Sequence, residues 1–155
     1  MKKTVFLLLI FLVFTNCAGD ENAEKPKDQI EDQVQKAYNK MFKSYAEGTD
    51  DFFEYYEDDF VRVESDGSIH TGIDQPKKDW NRFLKTHKVE LLNYEEDPKM
   101  VIGSDQVVTI GKFKELFIEK KSQDTTRNTG VYISSWRKQP DGKWKISMDT
   151  FHAGL

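Results

Sequence analysis

The chain has a single cysteine, Cys17, among its 155 residues, so no intrachain disulfide can staple it. Its longest apolar stretch, TVFLLLIFLVF, runs to eleven residues. A membrane-spanning helix needs roughly 20. No stripe gathers the lysines and arginines, and the formal charge is −4. Nucleic acid is therefore excluded as a partner, all the more because the acidic run EGTDDFFEYYEDDF repels phosphate. His70, His87 and His152 are the only histidines, and they lack metal-ligand spacing. There is no nucleophilic triad, phosphate loop, cofactor fingerprint, internal repeat or low-complexity block. No metal and no cofactor are expected.

What is present suits one folded domain with an aromatic-rich core, since 13% of the residues are Phe, Trp or Tyr. From Asp28, Ile30, Val34, Tyr38, Met41, Phe42 and Tyr45 recur at spacings of three and four, which predicts an amphipathic helix closed by Gly48. Thr49 is placed to cap a second, short helix carrying Phe52, Phe53, Tyr55 and Tyr56. A strand, a turn at Asp66-Gly67 and another short strand follow, with Val61 and Val63 as the apolar side of the first. A third helix begins at a cap on Asp74 or Gln75 and puts Trp80, Phe83, Leu84 and His87 on one face. His87 would end it, where a cation is favoured. Strands then fill the rest: Val89 to Tyr94, Lys99 to Ile102, Gln106 to Ile118, Asn128 to Lys138 and Lys143 to Phe151. The expectation is an α+β fold, with three N-terminal helices packed into a curved antiparallel sheet.

The last hairpin, SSWRKQPDGKWKISMD, fixes a register. Pro140, Asp141 and Gly142 form a three-residue loop that pairs Gln139 with Lys143. Alternation then puts Tyr132, Ser134, Trp136, Trp144, Ile146 and Met148 on one face. Val131, Ile133, Asp149 and Phe151 fall on the other. Trp144, nearest the turn, is expected in the core. Tyr132 and Trp136 are expected to look toward a hollow near Trp80.

The N-terminus is set apart. A basic MKK followed by the apolar run reads as a signal segment over residues 1–16. The sequence Phe14-Thr15-Asn16-Cys17 resembles the lipobox of bacterial lipoproteins. That resemblance implies lipidation at Cys17, export, and a lipid-anchored place in the cell envelope. Asn16 departs from the small residue usual before the cysteine. Residues 17–27 read as a polar tether and residues 28–155 as the folded domain.

Within that domain, SYAEGTDDFFEYYEDDFVRVESDGSIHTGIDQ and the closing GVYISSWRKQPDGKWKIS resemble the SnoaL-like branch of the nuclear-transport-factor-two-like superfamily. The shared features are Gly48-Thr49-Asp50 ending a helix, Asp58-Asp59 before the first strand, Asp66-Gly67 with Gly72, and the Trp136 to Trp144 hairpin. The resemblance spans Asp28 to Phe151. It implies a cone of three helices wrapped by a bent antiparallel sheet with a pocket at the open end, and dimerisation through the sheet in many members. Against the ketosteroid isomerases of the superfamily, Glu64 falls at the base position, and Met41 stands where the catalytic tyrosine would be.

Fold alone does not settle activity. The leading expectation is a protein that binds a small apolar or amphipathic molecule without catalysis, in a pocket built from Tyr56, Trp80, Phe113, Tyr132, Trp136 and Met148. A second reading is an isomerase or dehydratase with Glu64 as proton carrier, helped by His70 or His152. A third is an envelope interaction module pairing as a homodimer through Val131, Ile133 and Phe151.

Overall fold

The computed structural model describes residues 26–64 and 66–154. The signal-type segment, Cys17 and the start of the tether lie outside the described residues. Helix α1, Pro26–Ala46, opens on a proline, tolerated there because the first-turn N–H groups have no intrahelical partner anyway. Its stripe of Val34, Tyr38, Met41 and Phe42 is buried. Gly48, at φ 68°, ends it with an N–H bond to the Tyr45 carbonyl.

The second expected helix is instead a 3-10 turn, Asp51–Tyr55. Tyr56 already belongs to strand β1, Tyr56–Val63, where it pairs with Ile146. Consecutive aromatics fit a half-buried extended chain better than a helix, and pairing in the sheet decides the matter. The described chain therefore has two α-helices, not three. After β2, Ile69–Thr71, comes α2, Asp74–Thr86. Its N-cap position is Ile73, with no side-chain cap bond, so neither Asp74 nor Gln75 caps it. His87 does not end the helix. It starts β3, His87–Tyr94, and stacks on Phe83 with ring centroids 4.4 Å apart.

The remaining strands are β4, Lys99–Ile102, β5, Gln106–Glu119, β6, Thr125–Lys138, and β7, Trp144–Ala153. The sheet runs β2-β1-β7-β6-β5-β3, with β4 also on β5. All pairs are antiparallel except β1 with β7, which is parallel. The fully antiparallel expectation fails there because β7 reaches β1 only after the whole intervening chain, a crossover rather than a hairpin. Register shifts within the β1–β7, β3–β5 and β6–β7 pairs bend the sheet around α1.

The β6–β7 loop forms as read from sequence. The Gln139 N–H donates to the Lys143 carbonyl at 2.7 Å, and Gly142 takes φ 84°. Farther along, a bulge at Ser147 alters the faces. Trp136 pairs with Ile146 but Ser135 pairs with Met148, so Asp149 lies opposite Ser134 and Phe151 opposite Tyr132. One extra residue turns every later side chain over. Asp149 and Phe151 consequently join the concave face, and Met148 leaves it.

The core sits at the hairpin end of that face. Val34, Val107, Trp136, Trp144 and Ile146 are all buried, and the Trp144 indole donates to Gln33 Oε1 of α1 at 3.0 Å. Near the middle of β5, Gly111 lets α1 approach: a Cβ there would lie 2.4 Å from the Tyr38 hydroxyl.

Candidate functional site

The other end of the concave face is hollow. A cavity of about 480 Å³ lies between the sheet and the helices. Met41, Phe42 and Tyr45 of α1, Phe52 and Phe53 of the 3-10 turn, and Trp80 and Phe83 of α2 form its roof. Alternation along β5 aims Phe113, Glu115 and Phe117 into it, and Asn128 and Tyr132 enter from β6. Trp80 stacks on Tyr45 at 5.1 Å, and Phe52 meets its indole edge-on at 5.4 Å. The Trp80 indole N–H donates to the Thr49 carbonyl at 2.9 Å, which fixes the ring as a wall.

Two polar groups interrupt the aromatic lining. On the β1–β7 side, Arg62 reaches Asp149 with two bonds, Nε to Oδ1 at 2.9 Å and Nη2 to Oδ2 at 2.6 Å. Asp149 is fully buried. The Tyr132 hydroxyl donates to Asp149 Oδ2 at 3.0 Å and lies 2.7 Å from the Tyr56 hydroxyl. Burial first, and the Asp149 charge second, push both phenols well above the ordinary tyrosine range. Burial alone would lower the Arg62 pKa, but the bonds and charge of Asp149 outweigh it and hold the guanidinium protonated. This pair is thus a neutral, well-bonded unit with two phenols at its edge.

On the β5–β6 side sits Glu115, only 4% exposed. The Tyr45 hydroxyl donates to its Oε2 at 2.6 Å and Asn128 Nδ2 to its Oε1 at 2.7 Å. Burial raises its pKa above the usual glutamate range, against the lowering effect of those two donors. The Tyr45 phenol is likewise raised, by burial first and then by Glu115. Nearer the mouth stand Glu64, His70 and Asp79. Among the described residues no three His, Cys, Asp or Glu side chains converge as a metal site needs.

Of the residues expected to form a pocket, Tyr56, Trp80, Phe113 and Tyr132 line this cavity. Trp136 and Met148 do not. Trp136 has no exposed surface, and its indole donates to Thr109 Oγ1 at 3.0 Å. It lies four residues along β6 from Tyr132, about 13 Å at the usual strand rise, under the first half of α1. Met148 is turned to the outer face by the Ser147 bulge. Glu64 and His70 reach the mouth, whereas His152 lies outside the lining. Phe151, assigned to the outer face, lines the cavity instead, which leaves Val131 and Ile133 of that patch outside. On β1 the expected polarity is inverted: Arg62 looks inward, Val61 and Val63 look out, and Glu64, just past the strand, also lines the cavity.

Arg62, Glu115 and Asp149 escaped the sequence reading. Glu115 could have been found, because it falls between Phe113 and Phe117 at the strand period. Asp149 could not, since its face depends on the bulge.

No protein-family model and no curated protein matches the chain. Solved structures do. A ketosteroid isomerase-like protein from Erwinia carotovora atroseptica superposes with a TM-score of 0.72 at 14% identity, over 83% of this chain and 98% of its own. A nuclear-transport-factor-two-like superfamily protein from Salmonella enterica serovar Typhimurium gives 0.68 at 13% identity, over 82% and 92%. A hexachlorocyclohexane dehydrochlorinase from Novosphingobium barchaimii gives 0.64 at 14% identity, over 84% and 90%. The fold is therefore nuclear-transport-factor-two-like, an architecture shared by isomerase-like proteins, a dehydrochlorinase and others. At such identities the likeness extends to the fold alone.

Proposed function

We propose that this chain binds a small, largely apolar molecule in the cavity roofed by α1 and α2, without transforming it. The carrying observation is a cavity of about 480 Å³ walled largely by aromatic rings, with its polar side chains gathered in two bonded clusters and near the mouth. The Arg62–Asp149 unit and the Tyr45–Glu115–Asn128 unit are each already bonded, which suits orientation of a ligand more than proton traffic. The aromatic walls supply burial, at roughly 25 cal/mol for each Å² of apolar surface removed from water. The test is titration with apolar probes while following tryptophan emission. Saturable quenching that is weakened by Trp80→Phe supports the reading, and absence of any quenching overturns it.

An enzymatic reading keeps one observation in its favour. Glu64 and His70 both line the mouth, Glu64 just past the end of β1 and His70 on β2, where it faces Arg62. A proton carrier there would catalyse deuterium exchange at the acidic C–H of a bound ketone, and Glu64→Gln would abolish it. A binding protein shows no exchange above buffer.

The anchor belongs to the same proposal. Lipidation at Cys17 would hold the domain at the cell envelope, with acyl chains and no spanning helix. Cys17→Ser then releases the chain from the membrane fraction.

A further inference from the structure

We propose that the cavity selects a hydrophobic amine, whose ammonium group docks on Glu115 while its apolar body lies among the aromatic rings. This rests on the cavity being a ligand site, and it adds the chemical class.

Charge accounting comes first. Arg62, the one arginine of the lining, spends Nε and Nη2 on Asp149, so that pair contributes no net charge. Asp79 is paired with Arg82. Glu64 and Glu115 remain, and among the described residues neither is ion-paired with a lysine, arginine or histidine. The lining thus holds unpaired carboxylates and, among the described residues, no unpaired lysine or arginine, so the cavity is negative. A carboxylate or phosphate ligand would be repelled, and an ammonium drawn in.

Glu115 is the deep end of that field. Its oxygens already accept one bond each, from Tyr45 and Asn128, and a carboxylate offers roughly four acceptor positions. The two donors are neutral, so the carboxylate is oriented but not neutralised. Burial holds its proton affinity up for lack of a counter-charge. A cationic ligand would supply that charge through a short, charge-assisted bond. The rings beside it add to the preference. Tyr45 and Trp80 are stacked on each other, and Phe113 and Phe117 flank Glu115 on β5. Such faces attract cations through their quadrupoles. A neutral alcohol would gain the burial but neither the ion pair nor the ring attraction.

The experiment compares 4-phenylbutylamine, 4-phenylbutanol and 4-phenylbutyrate against the full chain near neutral pH, by tryptophan quenching and calorimetry. The expected order is amine, then alcohol at about tenfold weaker binding, then carboxylate weakest, the step between a charge-assisted and a neutral hydrogen bond. Glu115→Gln should weaken the amine about tenfold and leave the alcohol within about twofold. Glu115→Asp, which keeps the charge, should retain the preference for amine. Equal binding of amine and alcohol overturns the proposal and leaves the cavity a ligand site of another class. So does an undiminished amine preference in a Gln variant with native circular dichroism. If the Gln variant does not fold, the ranking on the unmutated chain and on Glu115→Asp decides. If none of the three probes binds, the ligand-site reading falls and the proposal falls with it.

Discussion

The two ends of the concave sheet face are built by the same strands and the same helix, yet one is filled and the other hollow. Along β6, Trp136 has no exposed surface, and four residues away Tyr132 lines a cavity. Along β5, Val107 and Thr109 are fully buried, whereas Phe113, Glu115 and Phe117 form a wall. Along α1, Val34 packs at the hairpin end and Met41, Phe42 and Tyr45 roof the hollow. Polar groups follow the division. At the filled end they satisfy one another, as when Trp136 donates to Thr109, whose hydroxyl lies 2.8 Å from that of Ser134. At the hollow end Glu115 is bonded but not neutralised. The difference lies in what stands over the sheet. The first half of α1 rests directly on it, and α2 with the 3-10 turn arches above the second half without filling it.

Between the two ends lies the Arg62–Asp149 pair, and breaking it should have the largest effect. Asp149→Ala leaves a guanidinium in a site from which water is largely excluded, with an expected loss of about 3–5 kcal/mol of stability by chemical denaturation. Arg62→Met with Asp149→Leu removes both charges together and should cost less than the single change. A single-variant loss under about 1 kcal/mol would mean that water reaches the pair more freely than the burial of Asp149 implies.

The tryptophans sharpen the same comparison. Trp136→Ala should cost about 3–5 kcal/mol, the usual range for truncating a buried aromatic. Trp80→Ala, which removes a wall already half open to the cavity, should cost about 1–2 kcal/mol. In probe titrations the order reverses: Trp80→Phe weakens quenching and Trp136→Phe leaves affinity unchanged. Equal stability losses, or equal effects on binding, would erase the distinction between the two ends.

Much of the frame was legible in the sequence because it follows from local chemistry. The 3.6-residue stripe of α1, the left-handed Gly48 and the Pro140-Asp141-Gly142 loop each specify their own backbone. Superfamily resemblance read from ordered motifs agrees with the fold. What stayed hidden depends on long-range pairing. Nothing around Ser147 announces a bulge, yet that residue moves Asp149 and Phe151 inward and Met148 outward. The inward turn of Arg62 follows from the parallel pairing of β1 with β7, which links residues 87 positions apart at Arg62 and Asp149. Tyr56 was read as helical because aromatic spacing is ambiguous over one turn, and its pairing with Ile146 decided otherwise. Trp136 was read as a pocket wall because alternation gives the face of a side chain and not its distance from the open end.

The smallest expected effect is a slope with pH, and it belongs to the hollow end alone. Burial raises the Glu115 pKa in the folded chain above its ordinary range. A group shifted upward binds its proton more tightly when folded than when unfolded. Its stabilising contribution is therefore fully present below the ordinary glutamate range, and it is lost as pH rises through the raised value. The groups packed on it, the Tyr45 phenol from α1 and the Asn128 amide from β6, both favour the ionised form, so they limit the shift without reversing it. Glu115→Gln keeps the shape of the side chain and removes the titration. Urea unfolding at intervals from acid to neutral pH should show the unmutated chain losing stability relative to the Gln variant across that window. The filled end supplies the control: Trp136→Phe should shift the whole curve by a constant and leave the slope unaltered. A Gln variant with the same slope as the unmutated chain would mean that Glu115 reaches water more freely than its burial implies, and the hollow end would then be a wet cleft rather than an apolar site with one carboxylate at its base.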